Sequence, residues 1–325
     1  MSTELFECAT EVEVEIPEDA SRVRRRMATY SVEALIVAQE VDRTFVIDVQ
    51  FKLALQACDR AFQLSRVLST PQGAHVHGPT GTGKSTLAQY FKWSLPPSSL
   101  FEADYGALAI RLSGRPSPGE IISAILRRLR HPFPNVTNTT HYIKRDLAIE
   151  ILNLKGTKLI FVDEGQHLAK QRRVLVKDGT STGKYTYASE LLRELMDDTK
   201  VGLVILSDST LTSLHEVDPA LDGRISTSVK FEDYVDVRAW LGFLQAACKQ
   251  CKSFDLTWLC DAEPAKLLLV ATEGNKRQFK LLVTEAVLVA VDAGRHSLDM
   301  RTLRTAFDRL FGIDSPMTNP YAPQP

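Results

Sequence analysis

An α/β fold, a parallel sheet followed by a block of helices, is the architecture this sequence predicts. Three observations predict it. Between residues 74 and 231, short apolar segments of strand length alternate with longer amphipathic segments. Several of the short segments are apolar throughout, as strands buried on both faces must be. From about Asp236 the strand signals stop and only helical periodicity continues.

The elements follow in order. Residues 1–20 are acidic and weakly patterned and read as a mobile tail. Arg22, Arg24, Arg25 and Arg26 form a basic cluster, either a solvated helix face or a contact for phosphate or a partner. Val49, Leu53, Leu55, Phe62 and Leu64 have helical spacing, so a helix lies within residues 48–68. Ala74–His77 is a short strand entering a glycine-rich turn, and Lys84–Leu95 is the helix after it, stopped by Pro96 and Pro97. Ala107–Leu112 is a second strand. Ser117-Pro118-Gly119-Glu120 is a capping box that opens a helix with Ile121, Ile122, Ile125, Leu126 and Leu129 on one face. Lys158–Val162, Leu203–Leu206 and Ser228–Phe231 are the remaining strands, and Ala188–Asp198 is a helix. Residues 236–251, 262–273, 276–293 and 298–311 read as amphipathic helices. The expected division is an N-terminal tail and helix (1–44), an α/β core (45–235), a helical lid (236–314) and an extended tail (315–325).

The chain has 325 residues and a net charge of −1, so no global basic field announces nucleic acid. Any such surface must be a local patch. Five cysteines without regular spacing argue against a disulfide framework and fit a reducing compartment. The first residues carry no apolar leader, and no apolar run approaches ~18 residues. A cytoplasmic protein without a membrane span is expected, and the sequons at Asn135 and Asn138 carry no meaning there.

Gly78-Pro79-Thr80-Gly81-Thr82-Gly83-Lys84-Ser85 fits the phosphate-binding pattern G-x-x-x-x-G-K-[ST] completely, and these residues with Thr86 after them are expected to bind the nucleotide. Its glycines let successive N–H groups point at phosphate oxygens, and the helix at Lys84 adds its positive end. Lys84 is expected to reach the β and γ phosphates of ATP, and Ser85 to hold Mg²⁺. In Leu159-Ile160-Phe161-Val162-Asp163-Glu164 a buried strand delivers two acids at its C-terminal end, where ligands of open α/β sheets bind. Asp163 is expected to hold magnesium through water, and Glu164 to deprotonate the attacking water. Gly179-Thr180-Ser181-Thr182-Gly183-Lys184 imitates a second phosphate loop, but it is one residue short and Tyr185 replaces the Ser or Thr. It reads as a polar turn between Val174–Lys177 and Lys184–Tyr187. Cys248, Cys251 and Cys260 lack a fourth zinc ligand nearby and read as structural thiols.

This order of parts resembles the AAA+ ATPases of the initiator and loader type. The resemblance implies a polar sensor after the Asp-Glu strand, Ser207 or else Asp208. It implies an arginine acting on a neighbouring subunit's ATP, Arg224 in Leu221-Asp222-Gly223-Arg224. It also implies a second sensor in Gly274-Asn275-Lys276-Arg277-Gln278-Phe279, with Arg277 first and Lys276 in reserve. Val162-Asp163-Glu164-Gly165-Gln166-His167-Leu168, the Arg115-Pro116-Ser117 segment and the ending Asn319-Pro320-Tyr321 resemble the TniB/TnsC family of transposon ATPases, over roughly residues 45–321. His75 and His77, in a strand usually purely aliphatic, and a long 171–187 segment depart from it. What this resemblance implies is assembly with ATP on duplex DNA, as a ring or filament of copies, connecting a target-selection protein to a transposase, in some members within CRISPR-guided transposons. The candidate DNA contacts are Arg111 and Arg115 after the second strand, Lys144 and Arg145 at the helix before the Asp-Glu strand, and Arg172, Arg173, Lys177 and Lys184 around the polar turn. The competing readings are a small-molecule kinase, a scaffold in which turnover is incidental, and a loader or origin-binding ATPase of another DNA process. The long helical block speaks against the kinase.

Overall fold

A computed structural model of the chain describes residues 29–137, 140–170, 174–178, 181–225, 227–312 and 319–322. The basic cluster at Arg22–Arg26 and the pair Arg172 and Arg173 lie outside them. The chain forms two compact units, one of residues 45–243 and 268–279, the other of residues 1–44, 244–267 and 280–325.

The first unit holds a five-stranded sheet. Its strands are β1 (Gly73–His77), β2 (Ala107–Arg111), β3 (Leu159–Asp163), β6 (Gly202–Ser207) and β7 (Thr227–Lys230), all parallel, in the order β2-β3-β6-β1-β7. Alternation explains why β3 and β6 are apolar at nearly every position. Ile160, Val162, Leu203 and Ile205 enter one core with Ile121, Ile122 and Ile125 of α4 (Pro118–Arg128) and Leu192 of α6 (Tyr187–Thr199). Phe161, Val204 and Leu206 enter the other with Phe51 of α2 (Val49–Leu64) and Leu87 and Phe91 of α3 (Lys84–Ser94). Each such side chain removed from water stabilises the fold by roughly 1.5–3 kcal/mol.

The element boundaries move by small amounts from those the sequence suggests. The helix before the Asp-Glu strand is α5, His141–Leu154, so it opens three residues ahead of Lys144. The last strand runs Thr227–Lys230. The polar-turn segment is an antiparallel hairpin, β4 (Val174–Asp178) with β5 (Ser181–Tyr185). Most of the imitation phosphate loop is therefore strand, and α6 starts at Tyr187, not after it. Lys177 stands opposite Thr182, and Lys184 opposite Leu175, in the hairpin register. A four-residue helix, α7 (Pro219–Asp222), precedes β7.

The second unit is helical. It contains α1 (Val32–Arg43), α11 (Met300–Phe311), most of α10 (Lys276–Asp292), and the C-terminal part of α8 (Val237–Cys248) with the start of α9 (Ala262–Thr272). Tyr30 donates to Glu285 of α10 at 2.9 Å, and Glu40 accepts from the backbone of Lys252 at 2.7 Å and Ser253 at 3.1 Å. Residues 319–322 form a turn against α11. Asn319 donates to Asp308 at 2.8 Å and to the Arg304 carbonyl at 3.2 Å, and the Tyr321 ring packs on Phe307 with centroids 6.3 Å apart. The Tyr321 hydroxyl is buried without a partner among the described residues, and burial pushes its pKa up. An unpaired buried hydroxyl costs about 1 kcal/mol or more. Tyr321→Phe is therefore expected to stabilise the protein by about 1 kcal/mol, read as a higher urea midpoint.

Candidate nucleotide-binding site

The site grows from the C-terminal ends of β1, β6 and β3. β6 lies between the other two, with His77 opposite Ser207 and Val162 opposite Ile205. The chain leaves β1 through Gly78, whose φ of 149° brings the backbone so close that a Cβ would meet the Phe231 carbonyl oxygen at 2.0 Å. Only glycine fits such a position. The loop then curls through Gly81 and Gly83, also at positive φ, and Thr82 donates to the Pro79 carbonyl at 2.9 Å. Gly83 is the N-cap of α3 and supplies no side-chain cap, so the first amides of the helix remain available to an anion. Thr86 is exposed in that first turn.

Lys84 donates to the carbonyls of Gly78 at 2.7 Å and Pro79 at 2.6 Å. Burial lowers its pKa, against the opposing pull of Asp163, Asp208 and Glu164. Ser85 donates to Asp163 at 2.9 Å, so a hydroxyl and a carboxylate oxygen stand side by side. This oxygen pair fits a hard divalent cation such as magnesium, which takes few protein ligands and completes its shell with water and phosphate oxygens. Glu164 follows with φ 60°, the left-handed region that a glutamate seldom occupies. Its carboxylate is gripped from two sides, by Arg111 at 2.7 Å and by the Gln166 amide at 2.6 Å. The Gln166 carbonyl oxygen accepts from the Asp208 backbone N–H at 3.1 Å. Gln166 thus ties Glu164 to the end of β6.

The other expected site residues separate. Ser207 is buried, bonded to the His75 ring at 2.8 Å and donating to the Leu211 carbonyl at 3.1 Å. Its hydroxyl is spent inside the core, and Asp208 is the polar group whose charge bears on Lys84. His75 belongs to that arrangement; burial and the neighbouring His77 hold its pKa down at about 4, so the ring is neutral at pH 7. Arg277 is exposed beside the loop: a Cβ on Gly81 would meet the Arg277 Cβ at 2.9 Å. The reserve Lys276 is occupied, 2.5 Å from Asp48. Arg224 is paired with Asp197 at 2.8 Å. Of the candidate DNA contacts, Arg111 is taken up by Glu164, and Arg145 by Glu194 at 2.9 Å and Asp146 at 3.2 Å. Arg115 is exposed, and Lys144 donates to the Phe133 carbonyl at 2.6 Å.

One residue to which sequence reasoning gives no role is Asn275. It donates to the Thr80 carbonyl at 2.9 Å and to Asp233 at 2.8 Å, and so braces the phosphate loop. The signal is its neighbour: Gly274, at φ 68°, presses so closely on Tyr234 that a Cβ would meet that carbonyl oxygen at 1.9 Å.

These features define a class, an α/β P-loop domain with a five-stranded parallel sheet. Residues 67–214 match the family model described as AAA domain. No curated protein matches the chain. Among solved structures, the fold is similar to the Aeropyrum pernix ORC2 protein in its ADPNP–ADP complexes, with a TM-score of 0.62 and 16% identity over 83% of this chain and 71% of that one. It is similar to the Aeropyrum pernix ORC1 protein in complex with DNA, with a TM-score of 0.59 and 18% identity over 83% and 67% of the two chains. It is also similar to Cdc6p from Pyrobaculum aerophilum, at 0.54 and 17% over 82% and 69%.

Asp48 anchors the approach to Asn275 and Arg277. It pairs with Lys276 and accepts from Tyr234 at 2.6 Å and from the Phe51 N–H at 2.8 Å. Burial works to raise its pKa, but these partners outweigh burial and hold it below the usual range. A depressed carboxyl contributes stability above its unfolded pKa of about 4 and loses it as pH falls through the folded value. Asp48→Ala leaves Lys276 half-buried and unpaired, and is expected to cost about 3 kcal/mol at pH 7. Urea titrations checking this should show the wild-type advantage shrinking below about pH 4.

Proposed function

We propose that this chain is a magnesium-dependent ATPase that assembles on duplex DNA and regulates transposition, linking target selection to the transposase. The observation that carries the ATPase reading is the convergence of Lys84, Ser85, Asp163 and Glu164 at one sheet edge. The amides of residues 80–85 and the N-terminus of α3 hold the phosphates, and Lys84 exchanges its loop carbonyls for phosphate oxygens. Ser85 and Asp163 would hold magnesium, which when bound neutralises charge on the phosphates. Glu164 takes the proton of the attacking water, Gln166 sets where its carboxylate points, and Arg111 holds that carboxylate in the resting site. Arg277, beside Gly81, is placed to meet phosphate charge.

Lys84→Ala is expected to abolish ATP binding. Glu164→Gln is expected to keep binding and lose turnover by about 10²-fold or more, because an amide accepts no proton. Normal phosphate release by the Glu164→Gln protein would sink the assignment. Arg111→Ala frees the carboxylate from a partly exposed pair worth up to ~1 kcal/mol, so basal turnover should rise by about fivefold or less.

Assembly is supported by Arg224, which would exchange Asp197 for a neighbour's phosphate. Turnover should then rise more than linearly with protein concentration, and Arg224→Ala should make it linear. Full activity of a dilute monomer rules the arrangement out.

DNA as a partner draws support from the fold shared with an ORC1 protein solved on DNA, and from the exposed Arg115. The proposed contacts are Arg115, Lys144 and the hairpin set Arg172, Arg173, Lys177 and Lys184. Phosphate contacts position a protein without reading sequence, so binding should be sequence-tolerant and steeply weakened by salt. Neutralising the hairpin set should flatten the salt slope by about one unit for each phosphate that is no longer neutralised, with ATP binding unchanged.

The transposition reading rests on the Gln166-His167-Leu168 segment and the Asn319-Pro320-Tyr321 ending. Gln166 grips the catalytic glutamate, and the ending docks on α11. The likeness to ORC proteins favours a second reading, a loader of another DNA process. ATP-dependent capture of a purified transposase by the purified protein separates the two.

A further inference from the structure

Every nitrogen of the Arg224 guanidinium is occupied within its own subunit. Nε and Nη2 donate to the two oxygens of Asp197, at 3.2 and 2.8 Å, and Nη1 donates to the Ala220 carbonyl at 2.9 Å. Asp197 lies on α6, on the same face as Arg193 and Ser189, one and two turns before it. That face holds residues 218–224 at two points.

The first point is fixed. Asp218 is buried, and its carboxylate accepts from the Ser189 hydroxyl at 2.7 Å and from Arg193 Nε at 3.0 Å. It also accepts from the N–H groups of Ala220 at 2.9 Å and Leu221 at 3.0 Å, which caps α7. Breaking such a buried pair leaves an uncompensated charge, so the start of α7 stays docked on α6. The second point is open to water: the side chains of Arg224 and Asp197 are 23% and 44% exposed. A pair of that kind is weak and easily exchanged. Asp197 also stands in the last turn of α6, at the negative end of the helix, where α6 carries no basic residue. A carboxylate there is unfavourable by itself, and Arg224 offsets that.

We propose that Asp197 is a latch, which stores Arg224 on its own subunit until a neighbour's nucleotide competes it away. The latch rests on the reading that Arg224 acts on a neighbour's phosphate, and adds the regulation of that contact. A copy whose arginine is latched engages a neighbour only after release, so the apparent affinity between copies is reduced to the fraction that is released. Triphosphate carries more charge than one carboxylate, so ATP in the neighbour favours release, while an isolated copy keeps its arginine withdrawn. Asp197 touches no reacting atom and acts through Arg224, as a positioning residue.

Turnover per subunit, measured over a range of protein concentrations, tests this. Asp197→Asn is expected to lower the concentration of half-maximal turnover by about threefold to fivefold, the weight of a partly exposed ion pair, and to leave turnover in the dilute limit unchanged. Sedimentation in a non-hydrolysable ATP analogue should show the same shift in assembly. Asp197→Glu keeps the charge and should stay near the wild-type value. Arg224→Ala, alone or combined with Asp197→Asn, should give one and the same assembly curve, because the latch then has nothing to hold. An unchanged or raised half-maximal concentration for Asp197→Asn overturns the proposal and leaves the pair as a structural tie. An assembly shift that persists in the Arg224→Ala background overturns it too, because the charge of α6 itself would then set assembly. Linear turnover by the wild-type protein is a separate failure, seen before any Asp197 variant is compared: it removes the action of Arg224 on a neighbour, and the latch with it.

Discussion

A parallel sheet buried on both faces must satisfy every backbone group of its inner strands with its neighbours, and that constraint organises this molecule. It holds β3, β6 and β1 in one register with all their C-termini at one edge. Everything polar that matters is delivered there by the chain as it leaves the sheet. Gly78 turns the phosphate loop, Asp163 and Glu164 end β3, and Asp208 follows β6. Because β6 separates the other two strands, the loop and the two acids flank a third strand end, which Gln166 bridges to Glu164.

The site is held by competition among partners more than by burial alone. Lys84 sits on its own loop carbonyls, Glu164 between Arg111 and Gln166, Arg224 on Asp197, and Lys276 on Asp48. Most of these ion pairs are partly exposed, so each is cheap to exchange for a phosphate or a partner. Asp48 with Lys276 is the more buried exception, and it fixes the segment that carries Asn275 and Arg277. The same logic divides the arginines. Arg111 and Arg145 look alike with Arg115 as sequence, yet among the described residues the first two are paired with carboxylates and Arg115 is not.

Local chemistry is legible residue by residue. The phosphate loop declares itself because a lysine, a hydroxyl and glycines at fixed spacing have one common geometric use. The apolar runs ending in Asp163 and at Ser207 declare buried strands because no solvent-facing strand tolerates such composition. Helix starts are readable where a cap is local, as at Ser117 with Glu120. The hairpin is harder to place, because its second strand, Ser181–Tyr185, is polar and carries no burial signal, so Gly183 and Lys184 look like loop.

By itself, then, the sequence determined the α/β class, the phosphate loop and the acids opposite it, since each depends on neighbours within a few residues. Only the tertiary structure decided the strand order, the burial of Ser207 against His75, the brace from Asn275 to Thr80, and which arginines are consumed by carboxylates. Those outcomes join residues far apart in the chain, His75 to Ser207 and Thr80 to Asn275. Such contacts are selected by the packing of whole layers, and no local spacing records them.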